Sequence, residues 1–340
     1  MKMFNCDCGR MVFFENTQCT TCRRKLGFDP ESFRLLSFEK NGTDTWLSSE
    51  HQAFKECLNG KQYNVCNWMI PARSSDTYCL ACNLNEMVPA IAAPKKRLWW
   101  SNMEIAKRRL LYTLLRLNLP IVSRKLDSEG IAFAFLEDKR INPNVKEEIV
   151  STGHAQGLIT VYLAEADDVS RELARVKLGE NYRTLLGHFR HESGHYYFDR
   201  ILKNSEEIWK FRDLFGDETQ DYKAALKKYY SEPPPPAWQT DYISDYAQSH
   251  PLEDWAECWA HYLHVIDTLE TATEFSIVDV DPFHHTVDEW LGDWDRVTVV
   301  LNALNRSMGM RDAYPFVYSN ATIEKIRFVH SIASPMRRTN

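Results

Sequence analysis

Apolar positions in this chain follow two periods, and the switches between them outline its elements. Ile105, Leu110, Leu111, Leu114, Leu115 and Leu117 recur at helical spacing. They predict a helix opened by the capping box Ser101-x-x-Glu104 and stopped at Asn118-Leu119-Pro120. Gly130–Leu136 is a short apolar run of the kind that forms a buried strand. In Gly157–Ala164, Ile159, Val161 and Leu163 alternate with Thr160 and Tyr162, which predicts a strand with two unlike faces. Such a strand suits either an ordinary core position or one wall of a cleft, where an extended peptide could add by backbone hydrogen bonds. Helical spacing returns over Asn181–Leu202, with Leu185, Leu186, Phe189 and Phe198 on one side. A mainly polar helical stretch follows, ending at Pro233–Pro236, which reads as a stiff extended connector. Trp255, Cys258, Trp259, Tyr262, Leu263 and Ile266 then mark a strongly apolar helix over Asp254–Leu269. Trp290–Leu304 and Thr322–Ile332 are two further helices.

These elements lie in the later part of the chain, and the beginning is different. Eight of the nine cysteines fall within the first 82 residues, where little apolar sequence is available for a core. A linker-like stretch from Val88-Pro89 to Pro94-Lys95-Lys96 separates residues 1–92 from 93–340. A chain of 340 residues accommodates two such domains. The expected fold class is therefore α+β, a small cysteine-rich domain preceding a mainly helical one with a small sheet.

The net charge of −6 argues against nucleic acid as the main partner, and the Lys/Arg clusters read as solvated surface. The amino-terminal residues lack an apolar core of signal-peptide length, and no later run reaches membrane-spanning length. A cytoplasmic protein with no membrane partner is the expectation. In a reducing compartment clustered cysteines are better read as metal ligands than as disulfides.

Cys6-x-Cys8-Gly9 and Cys19-x-x-Cys22 form two knuckles with the spacing of a zinc ribbon, which suits a structural four-sulfur zinc site. A redox pair is the weaker reading. Cys57, Cys66, Cys79 and Cys82 make a second quartet, of which only the last pair is a close knuckle. A second structural zinc is favoured there; an iron–sulfur cluster is the alternative that metal analysis would separate. Each metal would fold a region with too small a core of its own.

The chemistry centres on His191-Glu192-Ser193-Gly194-His195. On a helix, residues four apart share a face about 6 Å apart along the axis. His191 and His195 can then hold one zinc ion while Glu192 reaches the activated water as general base. Asp199 would lie about 12 Å along the axis from His191, too far to share the ion, and His188 suits the core better than the metal. A catalytic zinc needs a third protein ligand and an open position. Glu253 and Glu257 project from one face of the later helix, so that one can bind metal while the other accepts the spare N–H of a zinc-bound histidine. Gly194 weakens its helix by about 1 kcal/mol against Ala, which points to close approach of another backbone there.

His191-Glu-Ser-Gly-His195, with Tyr246 and Glu253-Asp-Trp-Ala-Glu257 downstream, resembles the gluzincin zinc metallopeptidases, especially relatives of the anthrax lethal factor catalytic domain. Nearly the whole chain resembles bacterial zinc-binding metallopeptidases with an amino-terminal zinc ribbon. The segments that carry this are Cys66-Asn-Trp, Gly153-His154-x-x-Gly157, Ala164-Glu-Ala-Asp167, Glu253–Leu263 and Asn305-Arg-Ser-Met-Gly309. The resemblance implies a zincin-like domain in which Glu253 is the third ligand and Glu257 the carboxylate behind the histidine. It also implies that Tyr246 assists the transition state.

The expected function is zinc-dependent peptide hydrolysis, with one catalytic and two structural zinc ions and no organic cofactor. The substrate would be a peptide or protein, and the ribbon would serve structure and docking of a substrate or protein partner. A zinc-stabilised adaptor that binds peptides without cutting them is the alternative. A protease acting on DNA-crosslinked protein is a third reading, disfavoured by the acidic charge. Asn305–Ser307 and Asp312–Phe316 fit either a cleft lining or the capping of the terminal helices.

Overall fold

The computed structural model describes residues 2–90, 93–178, 182–232 and 237–334. It is a mixture of helix and sheet, as the patterns predict, and it divides into two compact units. The first unit comprises residues 1–112, 122–152 and 160–172; the second comprises 113–121, 153–159 and 173–340.

In the first unit a hairpin of β1 (Phe4–Asn5) and β2 (Met11–Val12) carries the opening cysteines. Five antiparallel strands follow in meander order: β3 (Lys25–Asp29), β4 (Arg34–Asn41), β5 (Thr45–Ser48), β6 (Ala53–Glu56) and β7 (Met69–Pro71). Between β6 and β7 lies the short helix α1 (Leu58–Tyr63). A bridge between Phe28 and Trp68 brings the end of the sheet back to its beginning. That closure needs Gly27, where a Cβ would lie 2.5 Å from Met69 Cγ. Leu36, Phe38, Phe54 and Met69 fill the interior. After α2 (Leu80–Asn83), β8 (Asn85–Met87) pairs in parallel with β9 (Ala132–Leu136), the buried strand expected from Gly130–Leu136.

The helix between them, α3, runs Pro94–Arg116 and starts seven residues before the expected capping box. Proline fits a first turn because the missing N–H would have had no helical partner. Ser101 and Glu104 are therefore helix interior. Glu104 is fully buried, accepting hydrogen bonds from Trp100 and Asn85 and an ion pair from Lys107. The Asn118 stop is present, with Asn118 at φ 52° just past the helix. Tyr112 of α3 packs 5.4 Å from Phe14 and 6.0 Å from Phe28, so the helix up to that point is part of the first compact unit.

In the second unit β10 (Gly153–Ala155) precedes β11 (Leu158–Tyr162), whose Ile159 and Val161 are buried as the alternation predicts. Only Leu158 and Ile159 of β11 fall in this unit. Past α4 (Asp168–Leu178), the helix α5 (Leu185–Tyr197) begins at Thr184, whose side chain accepts from the Gly187 amide. The expected helix start at Asn181 lies outside the described residues. A π turn, Phe198–Leu202, ends α5. Two shorter helices follow, α6 (Ile208–Phe215) and α7 (Tyr222–Ser231), and the proline run 233–236 lies outside the described residues. α8 (Pro251–Glu274) is the central helix, longer than its apolar pattern alone marks out. Its Trp255, Cys258, Trp259, Tyr262, Leu263 and Ile266 are all fully buried. α9 (Val287–Ser307) and α10 (Asn320–Ala333) pack on it. No described helix is long and apolar enough to cross a membrane.

Candidate metal centre

α5 and α8 meet closely because of one residue. A Cβ at Gly194 would lie 2.9 Å from Ala256 Cα and 3.1 Å from Trp259 Cβ, so glycine lets the two backbones touch. The seam is then fixed by polar bonds from α8. Trp255 Nε1 donates to Gly194 O at 2.8 Å and Trp259 Nε1 donates to Ser193 Oγ at 3.0 Å. Further along, Arg190 of α5 reaches His264 and Asp267 of α8.

With the helices so placed, His191, His195 and Glu253 converge. The two Nε2 atoms are 3.2 Å apart, Glu253 Oε2 is 3.0 Å from His191 Nε2, and Glu253 Oε1 is 3.4 Å from His195 Nε2. Ligands about 2.0–2.1 Å from a tetrahedral zinc ion stand about 3.3–3.4 Å from one another, so these donors fit that ion. His191 Nδ1 is 2.7 Å from Glu257 Oε1. Glu257 can hold the proton on Nδ1 and leave the Nε2 lone pair to a metal. Burial works against charge on His191, but Glu253 and Glu257 outweigh it and hold its pKa well above the ordinary value. Burial likewise opposes the Glu253 carboxylate, yet His195 and His191 draw its pKa well below the usual range. Two imidazoles and a buried carboxylate meeting at these distances are a donor set suited to a divalent cation.

Glu192, beside this cluster, is buried, and burial raises its pKa. No described residue donates to its carboxylate oxygens. The Tyr246 ring lies 6.0 Å from that of His191, in a 3-10 turn just before α8. Burial pushes the Tyr246 phenol pKa up, so it stays protonated and able to donate.

Two neighbours were not assigned from sequence. Tyr222, the first residue of α7, donates to Glu253 Oε1 at 2.6 Å. No motif marks it, 31 positions before Glu253. His154 of β10 stacks on His195 with ring centroids 6.4 Å apart. Its Nε2 accepts from the Gly157 amide at 3.0 Å, and burial together with His195 lowers its pKa to about 4. Its Gly-His-x-x-Gly setting carried the resemblance, but spacing alone gave it no role.

Asp199 lies outside the cluster, in the π turn and paired with Lys203 at 3.3 Å. His188 is not among the converging groups. The Asn305–Ser307 end of α9 is tied to the residues that follow it, and Phe316 packs on His261 with ring centroids 4.3 Å apart. Asn305 bonds Arg311 O, Arg306 pairs with Asp312, and Tyr314 is buried against His261.

The first unit holds two four-sulfur clusters, Cys6/Cys8/Cys19/Cys22 and Cys57/Cys66/Cys79/Cys82. Sulfur pairs stand at 3.5 Å (Cys6–Cys22), 3.7 Å (Cys8–Cys19) and 3.6 Å (Cys66–Cys79). Thiolates about 2.3 Å from a tetrahedral zinc would be about 3.8 Å apart, so both clusters suit it. Gly9 takes φ 83° in the first knuckle, and the Cys22 amide lowers the Cys19 thiol pKa to about 6. The buried Arg108 guanidinium sits in the field of Cys66, Cys79 and Cys82 and donates to Val65 O at 2.7 Å. A cation there offsets thiolate charge. Cys258 belongs to neither cluster and is buried in α8.

Comparison with known proteins gives two family matches. Residues 96–332 match the family described as "Putative zinc-binding metallo-peptidase", and residues 3–93 match a zinc-ribbon domain. Proteins of Mycobacterium bovis and of two Mycobacterium tuberculosis strains, each described as uncharacterized, are 39% identical over 98% of this chain and 95% of their own length. No solved structure matches.

Proposed function

Since the chain belongs to the zinc-binding metallo-peptidase family, we propose that it hydrolyses amide bonds in peptides or proteins at the cluster between α5 and α8. The observation that carries this reading is the convergence of His191, His195 and Glu253 next to an uncommitted, buried Glu192. Zinc bound there would polarise a substrate carbonyl and lower the pKa of a water molecule towards about 7. Glu192 takes the proton from that water and delivers it to the leaving nitrogen. Its raised pKa suits both halves of that task, since a base must also give its proton back. Tyr246 donates its O–H to the oxyanion that forms on the carbonyl. Glu257 keeps the His191 ring in one tautomer and orientation.

The Cys6–Cys22 and Cys57–Cys82 quartets each hold a structural zinc in this reading, bringing the total to three. Residues 1–92 act as the ribbon domain and 93–340 as the peptidase domain, the ribbon giving structure and a docking surface for substrate or partner. A cytoplasmic location is part of the same proposal, since a reducing compartment keeps the clustered cysteines free to hold metal.

The test is cleavage of a peptide library by the full chain, with and without chelator. The expected result is metal-dependent cleavage that Glu192→Gln reduces by at least about 100-fold with zinc content unchanged. Full activity in that variant would end the general-base assignment. A zinc-loaded wild type that binds peptides but cleaves none would favour the adaptor reading.

A further inference from the structure

Tyr222 sits at the edge of the site in an unusual position. The residue is 39% exposed, yet its hydroxyl reaches a carboxylate, Glu253, that is 1% exposed. The helix it begins, α7, buries none of its residues. Little core packing therefore dictates where Tyr222 goes, and polar bonds to the α8 side place it. Tyr229 of α7 donates to Asp245 at 3.1 Å. His250, the N-cap of α8, accepts from the Leu252 amide through Nδ1 at 3.1 Å. That leaves its Nε2–H to donate to Gln220 O at 3.3 Å, two residues before Tyr222. The His250 ring also packs edge-on against Tyr222, with centroids 5.1 Å apart.

Both Glu253 oxygens face the imidazoles, Oε2 towards His191 and Oε1 towards His195. A carboxylate in that position can offer a metal one oxygen or two. The phenol already occupies Oε1 at 2.6 Å. We infer that Tyr222 is a positioning residue for the third ligand: by holding Oε1 it presents Glu253 to the metal through Oε2 and keeps one coordination position free for water and substrate. The inference rests on His191, His195 and Glu253 being the metal-binding set.

The test uses the full chain with cobalt(II) exchanged into this site, comparing wild type, Tyr222→Phe and His195→Ala. Phenylalanine keeps the ring against His250 and removes only the hydroxyl. Tyr222→Phe should lower zinc affinity at the site by about 10- to 100-fold. Its cobalt spectrum should change towards weaker visible absorption as the freed oxygen joins the ion. Thermal unfolding of the chain with zinc in the cysteine quartets alone should show that Tyr222→Phe still folds. Unchanged affinity and spectrum would overturn the inference while leaving the metal site standing. Weaker binding without a spectral change would overturn it too, because a merely structural support predicts that result. If wild-type chain binds no more cobalt than His195→Ala, the metal-site reading fails and the inference falls with it.

Discussion

Gly194→Ala probes the contact on which the metal centre depends. The added methyl would stand 2.9 Å from Ala256 Cα, 3.1 Å from Trp259 Cβ and 3.2 Å from Trp259 Cδ1. Normal carbon–carbon contact is about 3.5–4.0 Å, so the helices must part by several tenths of an ångström. The nearest atom is helix backbone and cannot rotate away. Trp259 is fully buried and its indole N–H is already bonded to Ser193. Overpacking of this kind costs about 1–3 kcal/mol, and its backbone character places it in the upper half of that range. Alanine returns about 1 kcal/mol of helix propensity. The net expectation is about 1–2 kcal/mol of destabilisation. A second effect follows from the same movement, because His195 is the next residue and Glu253 lies across the seam. Separating the helices widens the 3.0–3.4 Å ligand triangle and weakens metal binding. Urea unfolding followed by tryptophan emission reads the first effect, and chelator competition reads the second. Gly194→Ala that is as stable as wild type and holds zinc equally well would show that α5 and α8 do not need glycine at their contact.

Three further outcomes are expected. Glu257→Gln should weaken zinc binding about 10- to 100-fold, measured by chelator competition, because the His191 tautomer loses its carboxylate. Cys66→Ser should remove one zinc per chain by elemental analysis and unfold the first unit at lower urea. His261 is buried and neutral, its pKa lowered by burial to about 4 against about 6.5 when unfolded. The unfolded chain therefore binds more protons below pH 6.5. The contribution of about 3 kcal/mol is complete above that pH and is lost as pH falls towards 4. His261→Gln should flatten stability across that window, and an unchanged slope in the variant would remove the assignment.

The sequence was most readable where one residue type has few uses. Gly194 in a helical pattern pointed to a close backbone approach, and the helix it meets was marked by Trp255, Trp259 and Tyr262 at helical spacing. The paired spacings of His191/His195 and Glu253/Glu257 placed four polar groups on two faces that the fold brings together. Cysteine spacing grouped both quartets as the fold does, even the second with its distant first pair. The start of α3 is not legible locally because Ser101-x-x-Glu104 imitates a cap. Its glutamate instead lies in a buried network with Trp100, Asn85 and Lys107 that no local pattern encodes. Tyr222 and His154 escaped for a related reason. Their partners are distant in sequence, and a single tyrosine or histidine has no period to betray it.

A zinc ion held between α5 and α8 joins the proposed chemistry to the fold. Anomalous diffraction from crystals of the full chain, measured on both sides of the zinc absorption edge, tests it most directly. Three peaks are expected: one in each cysteine quartet, and a third about 2.0–2.1 Å from His191 Nε2, His195 Nε2 and a Glu253 oxygen. Zinc in the quartets alone, with no peak beside His191 and His195 in crystals grown with excess zinc, would contradict it.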